Sequence, residues 1–546
     1  MLPFYHLDRS GSPDNQCFYR PVENVGEQSR ISENHTSHEK KQMTFFPGFE
    51  RFEELCFDDG PSEPSPFQLS QEECTKLRNI HSEMLELFVP EEEETSRTLS
   101  SFRVLNNCRS NLEEQNSAKV KASGSDIACS KVGGQSVNEI IRLAGEKFIK
   151  SRSQRADGFS ELNHDLHDDK TGDAELIVQK LLLSAEKIGE QQYEHARSLL
   201  NHCNEYSSNK GNPIQRLVYY FSAALREKID QEMGMTTPEM VSLQFEKDIM
   251  NPSTTTSLSL HQRMPFCQIM QFTGIQAILE NVSQAKRINI IDLDIQYGTH
   301  CSVFIQDLAS RQVCPVEHLR ITAVGTKLNT ITTETGKRLA NFAKSMNLSF
   351  SFHVITVDDI LDLNENLFEL DINEVAAVYS PYFLWTLISQ QDRLEYLMEV
   401  IRTINPSVMV VSETEVNHNS PMFVNRFVEA LFFFGAYLDC FGEYMDPDDP
   451  DRFTAELMFG HGIQNIVAAE GKERIVRQVK NNVWVQFFGQ FNMVQKELSR
   501  SSLYQASLVA KNFNCEASCS LKMDGKSLIL GWKGTSVLSL SAWEFL

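Results

Sequence analysis

The stretch of sequence that decides the fold is Ile288-Asn289-Ile290-Ile291-Asp292-Leu293-Asp294-Ile295-Gln296-Tyr297-Gly298. Its apolar first part predicts a buried β-strand, and the carboxylates and glycine that follow predict a turn. Nucleotide-binding α/β domains place a glycine-rich turn after such a strand, because the backbone must approach a phosphate closely. Here the turn has one glycine, at its end. The function therefore depends on whether this turn is a working cofactor site.

The segments after this strand alternate between strand and helix patterns. Strands are predicted over Arg320–Val324, Phe350–Ile355, Val375–Tyr379 and Val408–Val411, with helices such as Thr332–Lys344 and Arg393–Ile404 between them. This alternation predicts a parallel sheet covered on both faces. The last segments, Ser518–Met523, Ser527–Lys533 and Val537–Trp543, are joined by Asp524-Gly525 and Gly534, which predict antiparallel strands at the end of the sheet.

Upstream of the sheet, from about residue 173, apolar residues recur at helical spacing. The pattern predicts consecutive amphipathic helices, as in a helical subdomain. We therefore expect an α/β protein with a largely parallel sheet and a helical subdomain before it.

Residues 1–172 form a tail rich in Ser, Glu, Asn and Gln, which we expect to be largely disordered on its own. Phe45–Phe57 mixes aromatic and acidic residues, which fits either a segment that recruits coactivators or a solvated linker. Leu77–Phe88 and Val137–Phe148 each have the apolar spacing of an amphipathic helix. We expect the second of these helices to dock on the folded region.

The bulk composition bounds the function. The 546 residues carry a formal net charge of −23, which argues against a protein that binds nucleic acid without help. The twelve cysteines include no CxxC pair and no quartet at zinc spacing, so reduced thiols are expected. The sequence shows neither a bilayer-length apolar run nor a signal-peptide pattern. We expect a soluble intracellular protein without a membrane partner.

Two places carry candidate chemistry. Asp292, Asp294 and Gly298 are the candidates for cofactor binding, and the alternative is that the carboxylates fix the turn by accepting hydrogen bonds from backbone amides. After the Val408–Val411 strand, His418 is a candidate general base, and Glu413 or Glu415 is the candidate carboxylate that orients it.

In the alternative interpretation of this second place, Asn419 or Ser420 caps a helix that has Pro421 in its first turn. The sequence contains no HExxH, GxSxG or Walker-type motif. It therefore predicts no catalytic residue, no metal site and no cofactor.

Short motifs follow one another in a fixed order along the last two-thirds of the chain. They include Ile288–Asp292, Pro315 with Leu319-Arg320, Glu334 with Arg338, Asn417-His418-Asn419, Arg426, Glu470 with Arg474, Trp532, and Trp543 in Ser-Ala-Trp. This ordered set resembles the plant GRAS family of transcriptional regulators. The chain departs from the family pattern at Asn289, where histidine is usual, and at His300-Cys301, which replaces a common Gln-Trp.

The resemblance implies an α/β fold with a Rossmann-like, methyltransferase-like core sheet and a helical cap. It also implies a domain organisation. After the variable tail (1–172), the GRAS domain covers 173–546. Within it, the first leucine-rich region spans 173–250, the VHIID region 262–330, the second leucine-rich region 331–405, the PFYRE region 406–510 and the SAW region 511–546. The tail lacks the DELLA and TVHYNP motifs, so direct control by a gibberellin receptor is not expected, although the core is most similar to DELLA-like and scarecrow-like members.

The resemblance also implies a function and partners. It implies a nuclear co-regulator in hormone or developmental signalling that is not an enzyme and reaches DNA indirectly, through zinc-finger or other transcription factors. Other GRAS proteins would dimerise with it through the cap, and coactivators would bind the acidic tail. The candidates for dimer contacts are Leu181, Leu182, Leu199 and Leu200. Trp532 and Trp543 are expected to be core anchors rather than partner contacts. The open alternative is a small-molecule sensor or methyltransferase-like enzyme that uses the Rossmann-like pocket.

Overall fold

The computed structural model describes residues 135–156, 173–235, 254–325 and 330–546. The aromatic and acidic segment Phe45–Phe57 and the predicted helix Leu77–Phe88 lie outside these residues, so the predictions for them stay untested.

A nine-stranded sheet forms the centre of the molecule. The strands are β1 (Arg287–Asp292), β2 (His318–Gly325), β3 (Phe350–Thr356), β4 (Val375–Pro381), β5 (Met409–Thr414), β6 (Met493–Lys496), β7 (Cys519–Asp524), β8 (Ser527–Trp532) and β9 (Thr535–Phe545). Their order is β3-β2-β1-β4-β5-β9-β8-β7, and β6 pairs with β9 outside that path. The first five strands are parallel and the others are antiparallel. This is a Rossmann-like order with a topological switch point between β1 and β4, because β2 and β3 lie on one side of β1 and β4 and β5 on the other.

The long strand β9 closes the sheet. It pairs with β5 along one edge, from Leu538 to Trp543. Along its other edge the first part pairs with β8 and the last part with β6. The antiparallel pairing with β9 satisfies the backbone N–H and C=O groups on the edge of β5 that would otherwise be unpaired.

Helices cover both faces of the sheet. One face packs against α6 (Pro265–Asn281), α7 (Thr299–Ser310), α8 (Thr330–Ser345) and α13 (Arg500–Asn512), and the other against α9 (Gln391–Ile404) and α12 (Asn481–Gly489). Adjacent residues of β1 show why both faces are apolar: Ile290 belongs to the first core and Ile291 to the second. A parallel strand buried on both sides needs such a run.

The helical cap extends the first core. It consists of α1 (Val137–Ala156), α2 (Asp173–Gly189), α3 (Tyr193–Tyr206), α4 (Pro213–Glu232), α5 (Thr254–Arg263), α10 (Phe423–Tyr444) and α11 (Pro450–Val467). Helix α10 contacts both the cap helices and β9, so it joins the two layers. None of the helices in the described ranges is long and apolar enough to cross a membrane.

The predicted docking of the Val137–Phe148 helix is confirmed. Val137, Ile141, Ala144 and Phe148 are buried, and α1 packs against α2 and α10. Gly435 of α10 makes this packing close, because a Cβ there would lie 3.0 Å from Ile141 Cδ1. The globular region therefore begins upstream of residue 173.

Candidate functional site

The candidate site lies at the carboxyl end of β1, beside β4, where ligands of Rossmann-like folds bind. Asp292 is the last residue of β1 and is fully buried. Its Oδ1 accepts a hydrogen bond from the Asp294 amide at 3.0 Å. This is the Asx arrangement weighed in the sequence analysis, so one carboxylate oxygen of Asp292 fixes the turn.

The rest of the turn is folded against its own neighbours. Gln296 Nε2 donates to Asp294 Oδ2 at 2.7 Å. Burial raises the pKa of Asp294 to about 7, although the bond from Gln296 opposes the shift. Gly298 has φ +58°, a left-handed conformation that favours glycine. A Cβ on Gly298 would lie 2.8 Å from Thr335 Cγ2 of α8, so α8 covers the turn directly.

Arg338 of α8 adds a polar contact to the same turn, because its guanidinium donates to the Tyr297 carbonyl. Gly298 therefore allows close packing of protein on protein. In a phosphate-binding turn, the equivalent freedom is used to admit the ligand.

A buried polar cluster adjoins the turn. His300 and Cys301 lie in the first turn of α7, and His300 Nε2 contacts the second oxygen of Asp292. Cys301 Sγ lies 4.0 Å from that same oxygen. The ring of Tyr379, on β4, packs beside the His300 imidazole with 5.2 Å between ring centroids. The three side chains of Asp292, His300 and Cys301 are thus held at one point, away from solvent.

Burial and charge oppose each other at this cluster. Burial lowers the pKa of His300, but its interactions with Cys301 and Asp292 outweigh that effect and leave the pKa well above its usual value. Burial raises the pKa of the Cys301 thiol, and the neighbouring His300 partly offsets the shift. Near neutral pH the His300 imidazole is therefore charged and the Cys301 thiol is protonated.

The second predicted place, at the end of β5, has no acid–base pair. Glu413 Oε1 accepts from the Trp385 amide at 3.3 Å, and burial raises the pKa of Glu413 to about 8. Glu415 accepts from the Asn481 amide at 2.9 Å, and burial raises its pKa to about 7. His418 instead pairs its Nδ1 with Gln478 Oε1 at 2.8 Å, and its Nε2 has no partner within the described part of the chain.

His418 is therefore not a base oriented by either glutamate, and that hypothesis is wrong. Its ring stacks on Phe434, with 6.0 Å between centroids. Burial lowers the pKa of His418 to about 4, so the imidazole is neutral near neutral pH.

The predicted helix start after His418 is also wrong. Helix α10 begins at Phe423, with Met422 at its N-cap, and Asn419 Oδ1 accepts from Arg477 instead. The reason is Arg426, whose Nη1 donates to the carbonyls of Ser420 and Pro421, at 3.0 Å each. These bonds, to residues five and six positions earlier in the chain, hold the segment outside the helix.

Arg426 and its neighbours form a network between α4, α10 and the end of α11. The fully buried Arg426 also donates to the Ile466 carbonyl at 3.2 Å and pairs with Glu470. Lys228 of α4 lies 3.0 Å from the same glutamate, and Arg474 donates to the His418 carbonyl at 2.8 Å. The motif residues of this region therefore tie backbone segments together.

The other motif residues are dispersed. Ile288 and Leu319 are core residues, Pro315 is exposed, and the Asn417 amide donates to Glu429 at 3.4 Å. Arg320 pairs with Glu374, and exposed Glu334 pairs with Lys337 at 2.8 Å. The structure does not bring the motif residues together into one site.

The two SAW-region tryptophans are core anchors, as predicted. Trp532 is buried in the first core and its indole Nε1 donates to Asp439 Oδ2 of α10 at 2.8 Å. Trp543 is buried in the second core and donates to Ser541 Oγ at 2.8 Å.

Burial limits the side-chain surface that the four candidate dimer leucines can present to a partner. Leu181, Leu182 and Leu200 are buried within the cap's own core, because they fill the spaces between α2, α3 and α4. Leu199 is half-buried. Of the four, Leu199 alone has surface for a partner while the cap is closed, and the dimer role itself stays a prediction.

Comparison with known proteins decides the family. The model of the GRAS domain family matches residues 177–544. The chain belongs to the GRAS domain family. It is 28% identical over 371 residues to DELLA protein RGL1 of Arabidopsis thaliana, a match that covers 67% of this chain and 70% of that protein. It is 26% identical over 373 residues to DELLA protein RGA of the same plant, over 67% of this chain and 62% of that protein.

A solved structure shows the same fold. The crystal structure of SCL7 from Oryza sativa matches with a TM-score of 0.59 and 26% identity, over 67% of this chain and 99% of that one. The chain is accordingly a plant GRAS regulatory protein with a mixed α/β, Rossmann-like core.

His300 and Cys301 are the residues that the sequence analysis did not select as candidates. A signal was present, since both departed from the family pattern at the start of the helix after β1. Their convergence on Asp292 depends on the angle at which α7 leaves the sheet, which residue types alone do not give.

Proposed function

We propose that this GRAS protein is a nuclear transcriptional co-regulator that acts through protein–protein contacts. Its partners are DNA-binding transcription factors, including zinc-finger proteins, and other GRAS proteins. The setting is plant hormone or developmental signalling. The proposal excludes catalysis and makes the contact with DNA indirect.

The observation that supports this proposal best is the packing of the β1 turn. Thr335 and Arg338 of α8 lie where a cofactor's phosphate would approach the backbone of a Rossmann-like turn. The polar side chains at the end of the strand, Asp292 and Asp294, are acidic and offer no hydrogen-bond donor that suits a phosphate while they are ionised. The sheet then serves as a rigid frame whose outer surface meets partners.

The charge of the chain supports indirect contact with DNA. A formal net charge of −23 repels a duplex at long range. A DNA-binding partner removes the need for this protein to approach the phosphates itself. We propose that the acidic tail, through Phe45–Phe57, binds coactivators.

A surface for the DNA-binding partner is proposed on α13, between the PFYRE and SAW regions. Tyr504 and Leu508 are 55% and 39% exposed and are one helical turn apart, so they share a face. Tyrosine is enriched among the residues that carry most of the binding energy of protein interfaces, and Leu508 extends the apolar face beside it.

Proximity labelling in plant nuclei tests this proposal. The wild-type protein is expected to label transcription factors, and the double variant Tyr504→Glu with Leu508→Glu is expected to lose most of that labelling. Ile372→Glu is the matched control, because Ile372 is 97% exposed in the connection between β3 and β4. Exclusion of the wild-type protein from nuclei, or equal labelling by all three forms, would contradict the proposal.

The role of the tail has a separate test. A chain that lacks residues 1–130 is expected to keep its transcription-factor partners and to activate a reporter less strongly than the full chain. Unchanged activation would remove the coactivator role from the tail and leave the partner role of the folded region standing.

One observation favours the alternative, a small-molecule sensor. At the carboxyl ends of β4 and β5, three buried polar atoms have no hydrogen-bond partner in the described residues: Ser380 Oγ, Tyr382 Oη and Glu413 Oε2. Buried polar groups are normally paired, so unpaired ones suit a polar ligand or ordered water. A rise in melting temperature with S-adenosylmethionine or another metabolite, abolished by Glu413→Gln, would support a sensor. No shift across a metabolite panel would eliminate it.

A further inference from the structure

The cluster at the end of β1 has the composition of a metal site. The Asp292 carboxylate, the His300 imidazole and the Cys301 thiol each offer one donor atom, and these atoms lie within 4.8 Å of one another. All three residues are buried. Two of them come from the first turn of α7 and one from β1, so a bound ion would join a helix to the sheet.

We propose that Asp292, His300 and Cys301 bind a divalent zinc-class metal ion. A mixed set of oxygen, nitrogen and sulfur donors suits zinc, which is commonly four-coordinate and tetrahedral. The fourth position is left to a water molecule.

The geometry is near what such an ion needs. Zinc bonds of ~2.0–2.3 Å in a tetrahedral arrangement put neighbouring donor atoms about 3.3–3.5 Å apart. Cys301 Sγ lies 4.0 Å from Asp292 Oδ2 and must approach by a fraction of an ångström. The imidazole of His300 contacts the same oxygen directly and must withdraw by about 1 Å to admit the ion.

The surroundings favour a fixed arrangement. Asp292 Oδ1 is held by the Asp294 amide, which leaves Oδ2 to face the other two donors. The Tyr379 ring supports the His300 imidazole from β4. Outer contacts of this kind orient metal ligands and tune their affinity.

The charge balance explains why burial is tolerated. A dication bound by a carboxylate, a thiolate and a neutral imidazole leaves the buried site with no net charge. Binding releases the thiol proton and any proton held by His300, so affinity should rise with pH.

The experiment measures metal in the full-length protein purified from cells grown with added zinc. About one zinc ion per chain is expected by elemental analysis, and a chelator followed by Zn²⁺ should lower and then restore the melting temperature. Co²⁺ in place of zinc should give the intense absorption of a thiolate–cobalt bond, a readout that requires no variant.

Substitution of each proposed ligand, with a buried cysteine elsewhere as the control, tests where the ion binds. Asp292→Asn, His300→Ala and Cys301→Ala should each weaken Zn²⁺ binding by about tenfold or more. Cys203→Ala, which removes a fully buried thiol from the cap, should bind zinc as the wild type does. Folding of each variant is checked by circular dichroism. Where a variant fails to fold, the Co²⁺ spectrum of the wild type serves as the test in its place.

Two outcomes would overturn the proposal. One is a folded wild-type chain that purifies without metal, does not respond to Zn²⁺ and gives no thiolate–cobalt absorption. The other is zinc that remains bound, with unchanged affinity, in all three folded variants, because the ion would then lie elsewhere. Either result leaves the proposed co-regulator function untouched, since that function does not depend on the ion.

Discussion

Replacing Glu413 with glutamine should stabilise the protein near neutral pH. Glu413 lies on β5, is almost completely buried and accepts a hydrogen bond from the Trp385 amide through Oε1. Its Oε2 has no partner within the described residues. Burial raises the pKa of this carboxyl from 4.5 to about 8, against the opposing effect of backbone hydrogen bonds. A glutamine keeps the acceptor and has no charge to bury.

The sign follows from proton linkage. Between pH 4.5 and about 8, the unfolded chain releases a proton that the folded chain keeps. The unfolded state therefore binds fewer protons, and the free energy of unfolding falls as pH rises through this window. Each pKa unit corresponds to ~1.4 kcal/mol, so the group costs roughly 3 kcal/mol at pH 7 and under about 1 kcal/mol at pH 5.

The assay is urea unfolding of the wild type and Glu413→Gln at several pH values. The difference in unfolding free energy, in favour of the variant, should grow by about 3 kcal/mol from pH 5 to pH 8. Exposed Glu497→Gln is the control and should show no such growth. A constant difference between the variant and the wild type across this range would refute the reasoning, because Glu413 would then titrate alike in both states.

Two further substitutions test packing, each by the urea midpoint. Gly298→Ala should cost about 2–4 kcal/mol, because it adds a clash with Thr335 Cγ2 at 2.8 Å to the strain of φ +58°. Gly234→Ala, at φ +69° with no atom within 4 Å, should show only the backbone cost of about 1–2 kcal/mol, and equal losses at the two glycines would disprove the close packing. Trp532→Phe should cost about 1–3 kcal/mol, since Asp439 loses the indole donor; a loss no larger than that of a surface substitution would show that this bond contributes little.

Much of the sheet could be predicted because its strands are buried on both faces. The predicted Phe350–Ile355 and Val375–Tyr379 lie within the observed β3 and β4, with ends that differ by no more than two residues. Such runs of apolar and β-branched residues bounded by polar ones are typical of strands buried on both faces. Strand β6 was missed, because its four residues, Met493–Lys496, pair only with the last part of β9. Four residues are too few to show the alternation of apolar and polar side chains that identifies a strand.

The ends of elements and the polar site were harder to predict, because side-chain contacts that no periodic pattern encodes decide them. The start of α10 depends on Arg426, whose side chain takes two carbonyls that a helix would otherwise use. The cost of a side chain at position 298 depends on Thr335 of α8, which lies some forty residues further along the chain. The sequence predicts that Asp292 ends the first strand, as observed, but its contacts with His300 and Cys301 depend on the position of α7.

The cap also limits how a second GRAS protein can bind. Exposing Leu181 or Leu182 would require α2 to separate from α4 and α10. Helix α4 is held by Arg216, which donates to the Leu438 carbonyl of α10 at 3.0 Å and lies 3.4 Å from buried Glu456 of α11. Separating α2 from this frame would return the buried side chains of Leu181 and Leu182 to water, at a cost of about 1.5–3 kcal/mol each. Contacts between GRAS proteins through this cap should therefore form on its outer faces, where Leu199 lies, while the buried leucines set the shape of those faces.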